Sequence, residues 1–144
     1  MQIFKKRFMF YQKQFQLPHL KRGFHLITSI IESNLPELPE TGLLNIFVRH
    51  TSAAITINEN ADPTVRLDFN SFINRIVPDG DRIFSHTLEG DDDMAAHIKS
   101  SLFGTSLNIP IIKGKLGLGT WQGIYFCEFR DVPSYRLLIL TLQS

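Results

Sequence analysis

The sequence predicts an α+β fold, a mainly antiparallel β-sheet or sandwich with two to three helices in a single domain over residues 1–144. Three observations lead there. Strand-like segments outnumber helical ones, their connections are mostly of hairpin length, and the regular strand–helix alternation of a doubly wound sheet is missing. With 43% apolar and 20% charged side chains, 144 residues suffice to bury one core. The same balance excludes a disordered or collagen-like chain.

Residues 3–17 read as the first strand. From Tyr11 the order Tyr-Gln-Lys-Gln-Phe-Gln-Leu alternates with period two, and a bend or bulge is expected where Phe8, Met9, Phe10 and Tyr11 interrupt it. Gly23 breaks the next segment, 24–27 looks like a strand end, and Thr28 is placed to N-cap a short helix that stops at Pro36 and Pro39. Residues 43–50 and 53–58, β-branched and apolar, read as two strands or one long strand kinked near Thr51-Ser52. The clearest helix follows. Asp62 is its N-cap, Pro63 takes the first helical position, Val65, Phe69, Phe72, Ile73 and Ile76 recur at helical spacing, and Pro78-Asp79-Gly80 stops the run. A second helix starts within Asp91, Asp92 and Asp93, whose charges complement the N-terminal dipole. It runs through Ala95, Ile98 and Leu102 and ends at Gly104. Leu107, Ile109 and Ile111 then alternate with polar residues or proline, Lys113-Gly114 turns the chain, and 120–130 with 135–142 read as a hairpin.

Charge and cysteine usage narrow the class of function. The net charge is +1, yet residues 1–31 carry six basic side chains and no acidic one, while the rest of the chain holds nine basic and fourteen acidic. A strand with a basic wet face accounts for this better than a transit peptide or a nucleic-acid arm. The pI of 7.9 and the absence of an RNA-binding aromatic motif make nucleic acid an unlikely partner. No apolar run approaches the ~18–20 residues that cross a bilayer, so no membrane association is expected. A single cysteine, Cys127, allows no intrachain disulfide and points to a reducing, cytoplasmic compartment.

Three histidines stand out: His50 at the end of an apolar strand, His86 in a polar loop, and His97 about one and a half turns into the second helix. A strand, a loop and a helix are able to bring three imidazoles together, the ligand set of an open zinc site. His19 and His25 read as structural. Asp93 lies one turn before His97 on the same stripe, but it and Asp91 read as complements of the helix dipole. Glu59 leaves an apolar strand without a structural explanation and is a candidate base, orienting group or metal ligand. Glu128 sits within an apolar strand and must be paired or solvated by a cleft. The glycine-rich stretch 114–120 matches no phosphate loop. Thr120, Trp121 and Gln122 beside it offer the mixture that lines small-molecule pockets. Ser52 and Cys127 lack the surroundings of a nucleophile.

Three strings occur in order: His50-Thr-Ser-Ala-Ala with Asn58-Glu-Asn-Ala-Asp-Pro, Glu89-Gly-Asp-Asp-Asp-Met-Ala-Ala-His97, and Gly119-Thr-Trp-Gln-Gly-Ile-Tyr-Phe-Cys-Glu128. Together they resemble the YjbQ-like family, also called the secondary thiamine-phosphate synthase family. The resemblance implies a small α+β domain assembling as a homotrimer. It places the motif histidines on His50, His86 and His97 as metal ligands, and the motif acids on Glu59, Asp62, Glu89 and Glu128 as catalytic candidates. The implied activity, primary or secondary, is transferase chemistry on a small phosphorylated heterocycle, joining a pyrimidine diphosphate to a thiazole phosphate. Expected substrate contacts are Arg49, Thr51, Ser52 and Lys99 with Gly119, Thr120, Trp121 and Gln122, and Arg130 is a further phosphate partner. Displacing pyrophosphate suits magnesium held by carboxylates, whereas imidazoles suit zinc, so the expected divalent metal is zinc or magnesium. The alternative is a non-catalytic trimeric metal- or ligand-binding protein.

Overall fold

The structure is a computed structural model and describes residues 8–144. Its strands are β1 (Phe10–Gln16), β2 (Gly23–Leu26), β3 (Thr41–Val48), β4 (Ala53–Glu59), β5 (Ser106–Ile112), β6 (Lys115–Leu116), β7 (Gln122–Glu128) and β8 (Leu137–Gln143). The helices are α1 (Thr28–Ser33), α2 (Pro63–Ile76) and α3 (Asp91–Phe103). Every strand pairing is antiparallel, in a five-stranded sheet of order β1-β8-β3-β5-β6 and a three-stranded sheet of order β2-β7-β4. The expected α+β class is therefore found.

Alternation along each strand builds the layers. On the five-stranded sheet Leu44, Ile46, Val48, Ile109, Leu138 and Leu140 face inward and meet Ala53, Ile55, Ile124 and Phe126 of the three-stranded sheet. The other face of β4 and β7 presents Ala54, Tyr125 and Cys127 to Ile73 of α2 and to Ala95 and Ala96 of α3. Because β7 is covered on both faces, its sequence runs apolar without alternation. The layers are thus sheet, sheet, helices.

Helix ends follow the sequence closely. Asp62 caps α2, accepting from the Thr64 backbone N–H at 2.9 Å, with Pro63 behind it. Gly104 closes α3 at φ +95°. Lys113 and Gly114 both have positive φ, the geometry of a two-residue hairpin turn joining β5 to β6.

Two expectations change, and one is settled between its alternatives. Residues 120–130 and 135–142 do not form a hairpin, since β7 and β8 belong to different sheets. Residues 43–50 and 53–58 hold two strands and not one long one; β3 and β4 divide between the sheets, so residues 49–52 cross from one layer to the other. Thr28 is the first residue of α1 and not its cap; its hydroxyl accepts from the Ile124 backbone N–H at 2.9 Å. Of the first predicted strand, residues 10–16 form β1, and residues 1–7 lie outside the described residues.

Leu140 is fully buried between the sheets. Leu140→Ala is expected to lower unfolding free energy by about 2–5 kcal/mol, read from urea denaturation, through lost transfer energy and the cavity left behind.

Candidate metal centre

The N-terminus of α3 organises the site. Gly90 precedes it at φ +105°, and a Cβ there would stand 2.9 Å from Asp92 Oδ1. Asp92 and Asp93, both buried in the first turn, are held by Arg130. Its Nε donates to Asp92 Oδ2 at 3.0 Å, Nη1 donates to Asp93 Oδ1, and Nη2 donates to the Glu89 carbonyl at 3.0 Å. One carboxylate oxygen of Asp93 is therefore neutralised from behind.

The other oxygen faces two imidazoles. His97, one turn along α3, brings Nε2 to 3.0 Å from Asp93 Oδ2, and His86, on the loop before α3, brings Nε2 to 2.7 Å from the same atom. The ring centroids lie 5.4 Å apart. His97 Nδ1 is 2.9 Å from the Thr51 carbonyl, which only accepts, so Nδ1 must donate the proton. In the neutral ring that leaves a lone pair on Nε2 aimed at a carboxylate oxygen. Two acceptors at 3.0 Å repel unless a positive centre, a proton or a metal ion, stands between them.

The donor set fits a transition metal. The ligand atoms of His86, Asp93 and His97 all lie within 4.8 Å of one another. Ligands on a tetrahedral zinc with bonds of ~2.0–2.1 Å are separated by roughly 3.3 Å, so the two contacts to Asp93 Oδ2, at 2.7 and 3.0 Å, need to open by only a few tenths of an ångström. The Thr51 carbonyl behind His97 and the Arg130 guanidinium behind Asp93 are the outer partners that orient such ligands.

The expected metal set changes by one residue. His50 does not join this cluster. Its Nε2 accepts from the Leu137 backbone N–H at 2.8 Å, which commits that lone pair to joining the end of β3 to the start of β8. Asp93 is the third potential ligand in the cluster. Its carboxylate is more than a dipole complement, and the spacing of four residues to His97 is the signal in the sequence that points to it.

The remaining candidates divide between the two ends of the three-stranded sheet. The register pairs Ala53 with Glu128 at one end and Glu59 with Gln122 at the other, a separation of about 20 Å over six residue steps. Glu59, Asp62, Gly119, Thr120, Trp121 and Gln122 occupy the end away from the cluster. Glu59 Oε2 accepts the backbone N–H groups of Ala61 and Asp62, the Asp62 carboxylate is used as a cap, and Gln122 Oε1 accepts from Gly119 N–H. Trp121 is exposed.

At the near end, Glu128 is paired as required. Arg136 Nε donates to its Oε2 at 2.6 Å, Arg136 Nη2 donates to Oε1, and the Arg130 backbone N–H donates to Oε1 at 3.1 Å. Ser52 accepts from Arg136 Nη2 through its hydroxyl at 3.0 Å. Glu89 is exposed, with Oε2 3.9 Å from His86 Nε2. The expected phosphate partners are spent elsewhere. Arg49 donates to Gln14 and Arg130 clamps Asp92 and Asp93. Lys99 is fully buried and donates to Asn74 Oδ1 at 2.6 Å, its ammonium pushed down to about 8 by burial.

This geometry defines a class: a small two-sheet α+β protein with a two-histidine, one-carboxylate cluster at one end of its inner sheet. The chain belongs to the UPF0047, YjbQ-like, family, whose model matches residues 13–144. It is 49% identical over 138 residues to the UPF0047 protein YjbQ of Escherichia coli O157:H7, covering 94% of this chain and 99% of that protein. It is 44% identical over 134 residues to the UPF0047 protein YugU of Bacillus subtilis, covering 92% and 98%. Among solved structures, a conserved hypothetical protein of Thermus thermophilus matches with TM-score 0.76 at 36% identity, covering 89% of this chain and 97% of that one. A YbjQ-like protein of unknown function from Sulfolobus solfataricus shares the fold with TM-score 0.81 at 24% identity, covering 96% and 99%.

These relatives correct the expected activity. They bear only the family's designation or are described as being of unknown function, and none is described as forming thiamine phosphate. The thiamine-phosphate synthase assignment therefore falls. The chemistry agrees in part, because two of the cations expected to neutralise a pyrophosphate leaving group, Lys99 and Arg130, are engaged inside the protein.

Burial, with Arg136 close by, holds His50 below the ordinary imidazole value. The unfolded chain consequently takes up this proton first as pH falls, and the stability that neutral His50 contributes is lost on acidification below about 6.5. His50→Gln is expected to flatten the fall in unfolding free energy between about pH 7 and pH 5. Parallel urea titrations of parent and variant check this.

Proposed function

We propose that this protein holds one divalent transition-metal ion, zinc by its donor set, on His86 Nε2, Asp93 Oδ2 and His97 Nε2, with coordination left open to water and a small-molecule ligand. The observation that carries this reading is the contact of His97 Nδ1 with the Thr51 carbonyl at 2.9 Å, which sets the ring's tautomer. With Nδ1 committed to the Thr51 carbonyl, the Nε2 lone pair points at a carboxylate oxygen that a second imidazole also approaches. Arg130 occupies Asp93 Oδ1, so the carboxylate offers a single oxygen and the fourth position stays free. When bound, such an ion lowers the pKa of its water to about 7 and polarises a ligand oxygen. Glu89 Oε2, beside His86 and exposed, is placed to accept a proton there.

Zinc titration of metal-stripped protein by calorimetry, with elemental analysis, tests the reading. One ion per chain is expected. Arg130→Met should weaken binding by about 10–100-fold, the usual cost of losing an outer partner, and His86→Ala, Asp93→Asn and His97→Ala should each weaken it further. An ion count near zero for the parent, or equal binding by Asp93→Asn, would refute it.

A homotrimer in the cytoplasm is part of the same reading. Leu67, Phe72 and Ile76 of α2 remain exposed in the single chain, and surface of this kind is ordinarily covered in an assembly. The lone cysteine is consistent with a reducing compartment, and no helix among the described residues is long and apolar enough to cross a membrane. Sedimentation equilibrium is expected to return the mass of three chains.

A further inference from the structure

We infer that a second, smaller site lies over the Glu128–Arg136 pair and takes a small carboxylate with a short apolar tail. A cavity of about 90 Å³ opens between the β1–β2 and β7–β8 connections, with Glu128 and Arg136 on its wall. Arg136 is 6% exposed and Glu128 1%, so a buried charged pair forms the floor of a cleft whose rim, at Pro18, His19, Ser134 and Tyr135, is exposed.

Satisfaction of this pair is one-sided. Glu128 Oε2 accepts from Arg136 Nε, and Oε1 accepts from Arg136 Nη2 and from the Arg130 backbone N–H. Its acceptor capacity is largely used. Arg136 Nη2 also donates to the Ser52 hydroxyl. Arg136 Nη1, with two N–H groups, has no acceptor among the described residues, yet no fully sealed side-chain nitrogen or oxygen lacks a partner. Nη1 therefore reaches open space, and the cavity is the space its side chain lines. A ligand oxygen that meets Nη1 at the edge of an otherwise buried side chain gains a charge-assisted hydrogen bond, the stronger kind, so a group bringing oxygen acceptors is favoured there.

The remaining wall decides the class of ligand. His19 lines the cavity and has no hydrogen-bond partner among the described residues, which gives a second nitrogen for an oxygen ligand. Leu17, Leu20 and Pro133 supply apolar surface around it. The volume holds roughly four to six non-hydrogen atoms, the size of acetate or propionate. A planar carboxylate fits one oxygen to Nη1, the other toward His19, and its alkyl end against the leucines. This site shares no ligand atom with the His86–Asp93–His97 cluster.

The experiment titrates the nitrogen-15-labelled 144-residue protein with acetate, propionate and neutral acetamide, followed by amide and arginine side-chain shifts. Saturable shifts are expected at residues 17–20 and 133–136 with propionate and acetate. Half-saturation should fall in the ~mM range, as befits ligands of so few atoms. Acetamide should bind at least about tenfold more weakly. Ser134→Trp, at an exposed loop position lining the cavity, should abolish these shifts while unfolding at the temperature of the parent. Arg136→Lys, which keeps the charge and removes Nη1, should weaken binding about tenfold or more where it folds. The inference is overturned by an absence of saturable shifts, by acetamide binding as well as acetate, or by a folded Ser134→Trp that titrates like the parent.

Discussion

The site depends on one buried carboxylate. Asp93 is 1% exposed, and an ionised carboxyl so placed must be compensated on both sides. Arg130 serves one oxygen and two imidazoles converge on the other. Arg130 lies two residues past Glu128, the last of β7, whose own carboxylate fixes the Arg130 backbone and is fixed in turn by Arg136. The arrangement closes through residues 49–52, where Ser52 receives Arg136 and Thr51 receives His97. A ring of hydrogen bonds and ion pairs thus surrounds the cluster, and its members come from the end of β7, the β7–β8 connection, α3 and the β3–β4 connection.

The inner sheet makes that convergence structural. β7 lies between β2 and β4, covered by the outer sheet on one face and by α2 and α3 on the other. Its position is therefore determined by packing from both sides, and close-packed interiors yield little to local strain. The charged ends of the strand inherit that rigidity. Arg130 meets Asp92 and Asp93 because Tyr125 and Cys127 lock β7 against the alanines of α3, whose small side chains let helix and sheet approach.

Some of this is legible in the sequence. α2 is, because Asp62, Pro63 and the apolar spacing after them agree at every level, and α3 is, because an acidic start and a glycine stop bracket it. Strand identities are legible from β-branched runs. Strand partners are not, since short connections between 48 and 53 and between 128 and 137 look the same whether they turn within a sheet or step between sheets. Of the site, His86 and His97 are legible as chemistry-bearing groups. Asp93 is hidden behind a sufficient local explanation, its place in the first turn of a helix. His50 misleads because a histidine at a strand end looks free, whereas the backbone of a distant strand claims its nitrogen.

Connections between elements are ordinarily where a fold accepts changes of length. Residues 49–52 reverse that rule. Within this short passage from one sheet to the other, a ring nitrogen of His50 and the hydroxyl of Ser52 are taken by the start of β8 and the residue before it, and the carbonyl of Thr51 is taken by α3. A single inserted residue would shift all three out of phase at once, so this loop is as intolerant of insertion as any strand in the core.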